Sequence, residues 1–161
     1  MAADIFLKID GIKGESKDDK HKDEIELLAW SWAQTQTGSA GRGGGMGTGK
    51  VEVHDISFTK NLDKATPKLM LACASGNHIP KAEMVMCKAG GEQKEYLKIE
   101  LEDVMVSSYS TSGAGGGDSP TENVSLNFGK ITVEYFEQDN KGTMTSAGKA
   151  GWDVKANKAV A

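Results

Sequence analysis

Residues 122–135 read ENVSLNFGKITVEY, and the apolar side chains of this segment change phase half-way along it. From Val124 to Phe128 every second residue is apolar, which is typical of a strand with one buried face. The alternation resumes on the other parity at Ile131, after residues 129–130 (Gly-Lys). A strand that exchanges its two faces in this way is expected to contain a bulge, which bends the strand around its core.

The same change of phase occurs in two other segments and predicts further bulges. In the first segment, Leu97, Ile99 and Leu101 are followed by Val104 and Val106 on the other parity. In the second, Val51 and Val53 are followed by Ile56 and Phe58, and the change lies near residues 54–55. Alternation also predicts strands at residues 5–9, 25–33 and 82–88 and a short strand at residues 151–157. Repeated bulges are typical of curled strands. We therefore predict a mainly β fold, barrel-like or built of two sheets.

One α-helix is predicted to flank these strands, at about residues 63–75. The apolar residues on one of its faces are Leu62, Ala65, Leu69, Ala72 and Cys73. Pro67 suits the first turn of this helix, and Gly76 suits its end. A side-chain cap for its first turn is available from Asn61, Asp63 or Thr66. We expect the helix to cover a sheet face or one end of a barrel.

Long polar or glycine-rich loops are predicted at residues 38–49, 110–118 and 138–149. Residues 44–50 have the glycine and lysine spacing of a phosphate-binding P-loop, and a nucleotide hydrolase is one alternative that this pattern raises. However, Val51 stands where a P-loop needs a Ser or Thr to hold Mg²⁺, and the chain continues as a strand instead of a helix. We therefore predict a loop that contacts a partner subunit, without nucleotide binding.

The composition indicates a single domain that spans residues 1–161. A formal charge of -4 and interleaved Lys and Glu residues provide no basic surface, so nucleic acid is not an expected partner. No apolar run approaches the length of a membrane span, and residues 1–14 lack the features of a signal peptide, so we expect synthesis and folding in the cytoplasm. Cys73 and Cys87 lie in apolar segments and are expected to be buried free thiols.

The polar residues form no pattern that is typical of catalysis or of metal binding. His21, His54 and His78 lack the spacing of metal ligands and are expected to be ordinary loop or surface residues. Glu100 and Glu102 are expected on the solvent face of a strand rather than as an acid–base pair. We therefore predict that the protein is not an enzyme and uses no metal and no cofactor.

The strand around Ser31 is predicted to have one bulky and one small face. Trp30 and Trp32 alternate with Ser31 and Ala29, so the small residues point away from the tryptophans and are able to line a cavity. We expect both tryptophans, together with Trp152, in the core or at a subunit contact. If the tryptophans were exposed, they would form a platform on which a ligand stacks. The alternative function is therefore that of a monomeric ligand-binding β-sandwich module.

Several segments occur together in a fixed order: DIFLKIDGIKGES, EIELLAWSW, VHDISFTKNLDKATPKLMLACASGNHIPKAEM, EYLKIELEDVMVSSYSTSG, ENVSLNFGKITVEY and GWDVKAN. In this combination the chain closely resembles the Hcp family, the haemolysin-coregulated tube proteins of bacterial type VI secretion systems. The elements FTK, DKATP and LACASG around the helix, at compatible spacing from both ends of the chain, make the resemblance specific. It covers most of the chain.

The resemblance implies a structural protein that assembles with itself. Six copies are expected to close into a ring, and rings are expected to stack into a tube that a contractile sheath propels and a spike protein accompanies. The lumen would carry effector proteins and leave the cell with them. On this basis Ser31 is predicted to face the lumen and bind effectors, and Ala29 and Ala33 are added only because they alternate with it.

Overall fold

The fold is described from a computed structural model, which covers residues 3–38, 49–89 and 92–160. The predicted loop at residues 38–49 lies almost entirely outside the described residues, and so do most of the glycines of the P-loop-like pattern. No helix in the described ranges has the length and apolar character that a membrane span requires.

The described residues form strands in antiparallel pairs and one helix, which confirms the mainly β class. In chain order the elements are β1 (Ala3–Ile9), β2 (Ile25–Leu27), β3 (Ala29–Ser31), β4 (Gln34–Thr35), β5 (Glu52–Val53), β6 (Ile56–Asn61), α1 (Thr66–Ser75), β7 (His78–Lys88), β8 (Glu95–Ser112), β9 (Thr121–Gln138), β10 (Met144–Asp153) and β11 (Lys158–Val160).

The main sheet curls until its two ends meet at Leu28. Strand β1 pairs with β7, and the pairing continues through β8, β9 and β6 to β3. The segment that contains β2 and β3 then changes partner, because β2 pairs with β1 and β3 pairs with β6. At the change, the Leu28 N–H donates a 2.8 Å hydrogen bond to the Thr59 carbonyl. The strand pairings, joined by the continuous chain from β2 through Leu28 to β3, form a closed circuit. This is the predicted barrel-like arrangement, and β10 and β11 continue outward from β9.

Strands β8 and β9 bend together where their apolar residues change phase. Asp103 adopts a φ of 56°, and Gly129 lies against it, since a Cβ on Gly129 would be 3.2 Å from the Asp103 Cβ. The pairs Glu102–Lys130 and Val104–Phe128 on either side keep the same register. The predicted bulges at these two positions are therefore wrong. The change of buried face occurs opposite the same point in both strands, so neither strand needs an extra residue relative to the other.

The irregularities of register occur elsewhere. Strands β8 and β9 shift between Val106 and Ser108. The bulge predicted near residues 54–55 is a break between strands, since β5 ends at Val53 and β6 begins at Ile56. The chain leaves one sheet for the other at this point, and strands of different sheets need no common register.

The core fills the inside of this circuit, and a smaller apolar cluster lies on the opposite face of the sheet. Strands β1, β2, β6, β7, β8 and β9 and helix α1 all contribute buried apolar side chains to the core. The smaller cluster consists of Phe6, Val85 and Cys87. The described chain therefore buries both faces of the sheet where β1 pairs with β7.

Two charged side chains, Lys60 and Glu122, close one end of the core. They face each other in the β6–β9 register, form an ion pair and are both 0% exposed. The Tyr109 hydroxyl donates to Glu122 at 2.6 Å, the Thr66 hydroxyl donates to it at 3.0 Å, and Asp63 lies 2.9 Å from the Lys60 ammonium. Burial first, and then the hydrogen bond to Glu122, raises the pKa of Tyr109 to about 12. The sequence analysis did not identify this network.

The flanking helix is confirmed, with a later start than predicted. It begins at Thr66 and not near residue 63, because the Asp63 carboxylate is used outside the helix: it accepts from the Ala65 N–H at 2.8 Å and pairs with Lys60. Pro67 lies in the first turn, and Gly76 ends the helix in the left-handed region at φ 65°. Leu62, predicted on the buried helix face, precedes the helix and is 40% exposed.

The loop predicted at residues 138–149 is mostly strand. Strand β9 continues to Gln138 and β10 begins at Met144, and the predicted short strand at 151–157 is the end of β10 followed by a turn. Strand β10 lies outside the closed circuit and carries mainly small, exposed residues, so it lacks an apolar alternation. The predicted loop at 110–118 is confirmed in part, since β8 extends to Ser112.

The buried ion pair predicts a large loss of stability on replacement of one partner. Glu122→Gln should lower the free energy of unfolding by about 3–5 kcal/mol, because the Lys60 ammonium would lose its charged partner in the core. Urea unfolding measures this change. The control is Glu102→Gln, which removes a half-exposed partner of Lys130 and should change stability by less than about 1 kcal/mol. Equal effects of the two substitutions would contradict the prediction.

Candidate functional site

Two tryptophans hold β3 in one orientation: Trp30 lies in the strand, and Trp32 follows it. The Trp30 indole N–H donates to the Met86 sulfur at 3.0 Å, and the Trp32 indole N–H donates to the His54 carbonyl at 3.0 Å. Both rings are half-buried and pack against the core. The predicted alternation is confirmed, since the residues between and beside them are exposed: Ala29, Ser31 and Ala33.

Strand pairing extends this small face into a row of serines across the sheet. Ser31 pairs with Ser57 on β6, Ser57 pairs with Ser125 on β9, and Ser125 pairs with Ser108 on β8. The Ser57 and Ser125 hydroxyls form a 2.8 Å hydrogen bond. Ser31 and Ser108, at the two ends of this serine row, are exposed.

A second row lies beside the serine row on the same face. It consists of Ala29, Thr59, Asn123 and Ser110, which are consecutive partners across the same strands. The Thr59 hydroxyl donates to the Asn123 side-chain oxygen at 2.7 Å. We call the two rows together the polar face.

A carboxylate at the border of the polar face, that of Asp55, is held by local hydrogen bonds. The Asp55 carboxylate accepts from the Ser107 hydroxyl at 2.5 Å and from the Asn127 amide at 2.8 Å. Asn127 follows Ser125 on the outward side of β9, so Asp55 lies at the border of the face. The carboxylate therefore organises neighbouring side chains of the sheet.

The chemistry of the polar face is that of reversible hydrogen bonding. Hydroxyl and amide groups donate and accept, and none of the side chains in its two rows carries a formal charge. Contact with another protein surface therefore does not require removing water from an ion, which is the most costly form of desolvation. The two rows contain no histidine or carboxylate to activate a serine as a nucleophile. The arrangement suits binding.

Sequence analysis identified Ser31 and Ala29, together with Ala33 beyond the end of β3, but missed the rest of the polar face. The additional residues are Ser57, Thr59, Ser108, Ser110, Asn123 and Ser125. Each occupies the exposed parity of its own strand, which is a signal that the sequence contains. Their alignment with Ser31 depends on the strand register, which no single segment reveals.

The prediction that the histidines are ordinary loop or surface residues is wrong for His21. Its side chain is buried and stacks on Phe6, with ring centres 4.4 Å apart and planes at 9°. The His21 Nδ1 lies 2.7 Å from the Glu24 carboxylate, whose pKa is raised by burial despite the histidine. By contrast, His78 is 75% exposed and lies 3.3 Å from Asp103.

The two cysteines are free, as predicted. Cys87 is fully buried, whereas Cys73 is only half-buried on α1. Burial is the main cause that raises the pKa of the Cys87 thiol to about 11, and the carboxylates of Glu95, Asp18 and Asp4 add to it.

Similarity to known proteins covers almost the whole chain. Protein hcp1 of Pseudomonas aeruginosa is 58% identical over 159 residues, which is 98% of both chains. The solved structure of Hcp1 from Salmonella typhimurium is 43% identical with a TM-score of 0.79 and covers 99% of this chain and 100% of that one. A second solved structure, of a type six secretion system protein, is 34% identical with a TM-score of 0.92 and the same coverage.

The family model that matches this chain is described as "Type VI secretion system effector, Hcp". It matches residues 6–135, which include the whole polar face and all of the closed circuit except the first residues of β1 and the last residues of β9. The chain therefore belongs to the Hcp family of type VI secretion system proteins.

Proposed function

We propose that this protein is a subunit of the inner tube of a type VI secretion system, and that six copies close into a ring whose lumen carries effector proteins. The observation that supports this proposal most is the polar face. In the proposed ring this face lines the lumen, with Ser31, Ala29 and Ala33 among the residues that contact effectors. The chain acts as one domain across residues 1–161.

The chemistry of the polar face fits a carrier that must release its cargo. Small hydroxyl groups on a sheet are held rigidly, and their contacts with cargo cost little side-chain entropy. Without buried ion pairs, binding is weak enough per contact to be reversible and does not require one particular charge pattern on the effector. This supports a carrier of several effectors.

Assembly into a ring is supported by an incomplete apolar groove beside β10. Trp32, Val133 and Trp152 line this groove, and the buried Trp152 indole N–H has no hydrogen-bond partner within the described part of the chain. That nitrogen is already covered within the chain, whereas the apolar groove around it is open, and open apolar surface is typical of a contact between subunits. In a head-to-tail ring, this groove meets a different patch of the next copy.

In the proposed pathway, the protein is made in the cytoplasm and leaves the cell through the type VI apparatus. Stacked rings form the tube, a contractile sheath surrounds it, and a spike protein precedes it. Effectors in the lumen travel with the tube. Nucleic acid and membrane lipid have no part in this proposal.

The proposal predicts a ring of defined mass. Size exclusion with light scattering should give about six times 17.1 kDa, and negative-stain images of the same peak should show annular particles. A dilution series checks that the mass does not arise from nonspecific association. A monomer at micromolar concentration would contradict the ring and favour the alternative, a monomeric ligand-binding module.

The polar face predicts how effector retention depends on single side chains. Ser31→Gln should leave the ring intact but lower retention of a bound effector about tenfold, because a bulky amide displaces the cargo contact and leaves polar groups unpaired. Ser108→Gln, at the other end of the serine row, should have the same effect. The matched control is Ser75→Gln, an exposed serine on α1.

The measurement is effector co-purification with each ring variant, followed by a binding titration. Loss of retention in the Ser31 and Ser108 variants but not in the Ser75 variant supports the polar face as the cargo surface. Unchanged retention in the first two variants, with rings of normal mass, would show that effectors bind elsewhere.

A further inference from the structure

A cluster of donor atoms lies on the sheet face opposite the core, away from the polar face. The segment of residues 13–24 covers this side of β1 and β7 and brings His21 over Phe6. The His21 Nε2 lies 3.2 Å from a Glu95 oxygen and 3.8 Å from the Cys87 sulfur. One donor atom from each of the three side chains lies within 4.8 Å of the others.

We propose that His21, Cys87 and Glu95 bind a divalent transition-metal ion of the Zn²⁺ type. Zinc takes sulfur, imidazole nitrogen and carboxylate oxygen at about 2.0–2.3 Å, and donors on a tetrahedron of that size lie about 3.3–3.8 Å apart. The two distances from the His21 Nε2 are already close to this range. A mixed set of nitrogen, sulfur and oxygen donors favours zinc or cobalt over magnesium or calcium.

Glu24 provides the support that metal-binding histidines usually have. It lies 2.7 Å from the His21 Nδ1, on the side of the ring opposite Cys87 and Glu95. When Nδ1 carries the proton and donates to Glu24, Nε2 presents its lone pair to the other donors. The same contact fixes the plane of the ring, and Phe6 stacks against its face. His21 is therefore oriented before the ion arrives.

The charges around Cys87 favour a dication. The carboxylates of Glu95, Asp18 and Asp4 surround the thiol, and the Lys20 ammonium offsets part of their charge. Net negative surroundings of this kind attract a metal ion. On binding, the sulfur forms its bond to the metal and the thiol proton leaves to solvent, so no oxidant or reductant is needed.

The exposure of Glu95 gives an ion a route of entry and a side on which a fourth ligand can bind. Cys87 and Glu95 face each other in the β7–β8 pairing, next to the register shift after Met86. The Glu95 side chain is 41% exposed, whereas His21 is almost fully buried. An ion would enter past Glu95 and keep a water molecule on that side, and it would tie the 13–24 segment to the β7–β8 hairpin.

The test is a Co²⁺ titration of the untagged, reduced, full-length protein. One equivalent of Co²⁺ should produce a thiolate-to-cobalt charge-transfer absorption, which Zn²⁺ should then remove by displacement. Zn²⁺ should also raise the thermal midpoint in proportion to the logarithm of its concentration.

Variants separate this site from adventitious binding. Cys87→Ser should abolish the absorption, while Cys73→Ser, the matched cysteine control on α1, should retain it. Glu95→Gln should weaken Co²⁺ binding at least tenfold, and Glu24→Gln should weaken it about 10–100-fold through the orientation of His21. If Cys87→Ser does not fold, Co²⁺ binding by the Glu95→Gln variant tests the site instead, because the Glu95 side chain is 41% exposed and its replacement should not disturb folding.

Two outcomes would overturn the proposal. Absence of the absorption in the folded wild-type protein at millimolar Co²⁺ would mean that the cluster is held by hydrogen bonds alone, with His21 bridging the carboxylates. An absorption that survives in both the Cys87 and Glu95 variants would place the ion elsewhere. Neither result depends on whether the protein forms rings, so failure here is distinguishable from failure of the tube proposal.

Discussion

The buried Lys60–Glu122 pair fixes the register on which the rest of the barrel-like circuit depends. Both side chains are fully buried, so each charge needs the other, and a slip of β6 against β9 by one residue would turn Lys60 toward solvent and leave Glu122 unpaired in the core. Through Thr66 and Tyr109 the same carboxylate also positions α1 and β8. A costly buried charge pair therefore specifies one arrangement of four elements, where apolar residues alone would tolerate several.

The register set inside the circuit also assembles the surface outside it. Lys60 and Glu122 are immediate neighbours in sequence of Thr59 and Asn123, which point the opposite way and form the second row of the polar face. Because side chains alternate along each strand, the alignment of the inner pair carries over to the outer one. The candidate binding surface and the stability of the core are thus consequences of the same strand pairing.

The shared bend at Asp103 and Gly129 gives β8 and β9 two different environments. On one side of the bend β9 pairs with β6 and completes the circuit, and on the other side β9 pairs with β10, which extends the sheet outward while β8 pairs with β7. Bending both strands at one level keeps their hydrogen bonds in register. The outward extension places Trp152 beside Trp32, where the proposed subunit groove lies.

Sequence by itself determined the features that depend on near neighbours in the chain: the phase changes of β8 and β9, the helix before Gly76, and the exposed side of β3 that carries Ser31. These follow from periodicity and from the preferences of single residues. Tertiary structure alone decided which residues share the polar face, which charges meet in the core, and why His21 lies beside Cys87, 66 positions further along the chain. The physical reason is that such contacts are set by strand register and by the path of the covering segment, and both are properties of the whole circuit.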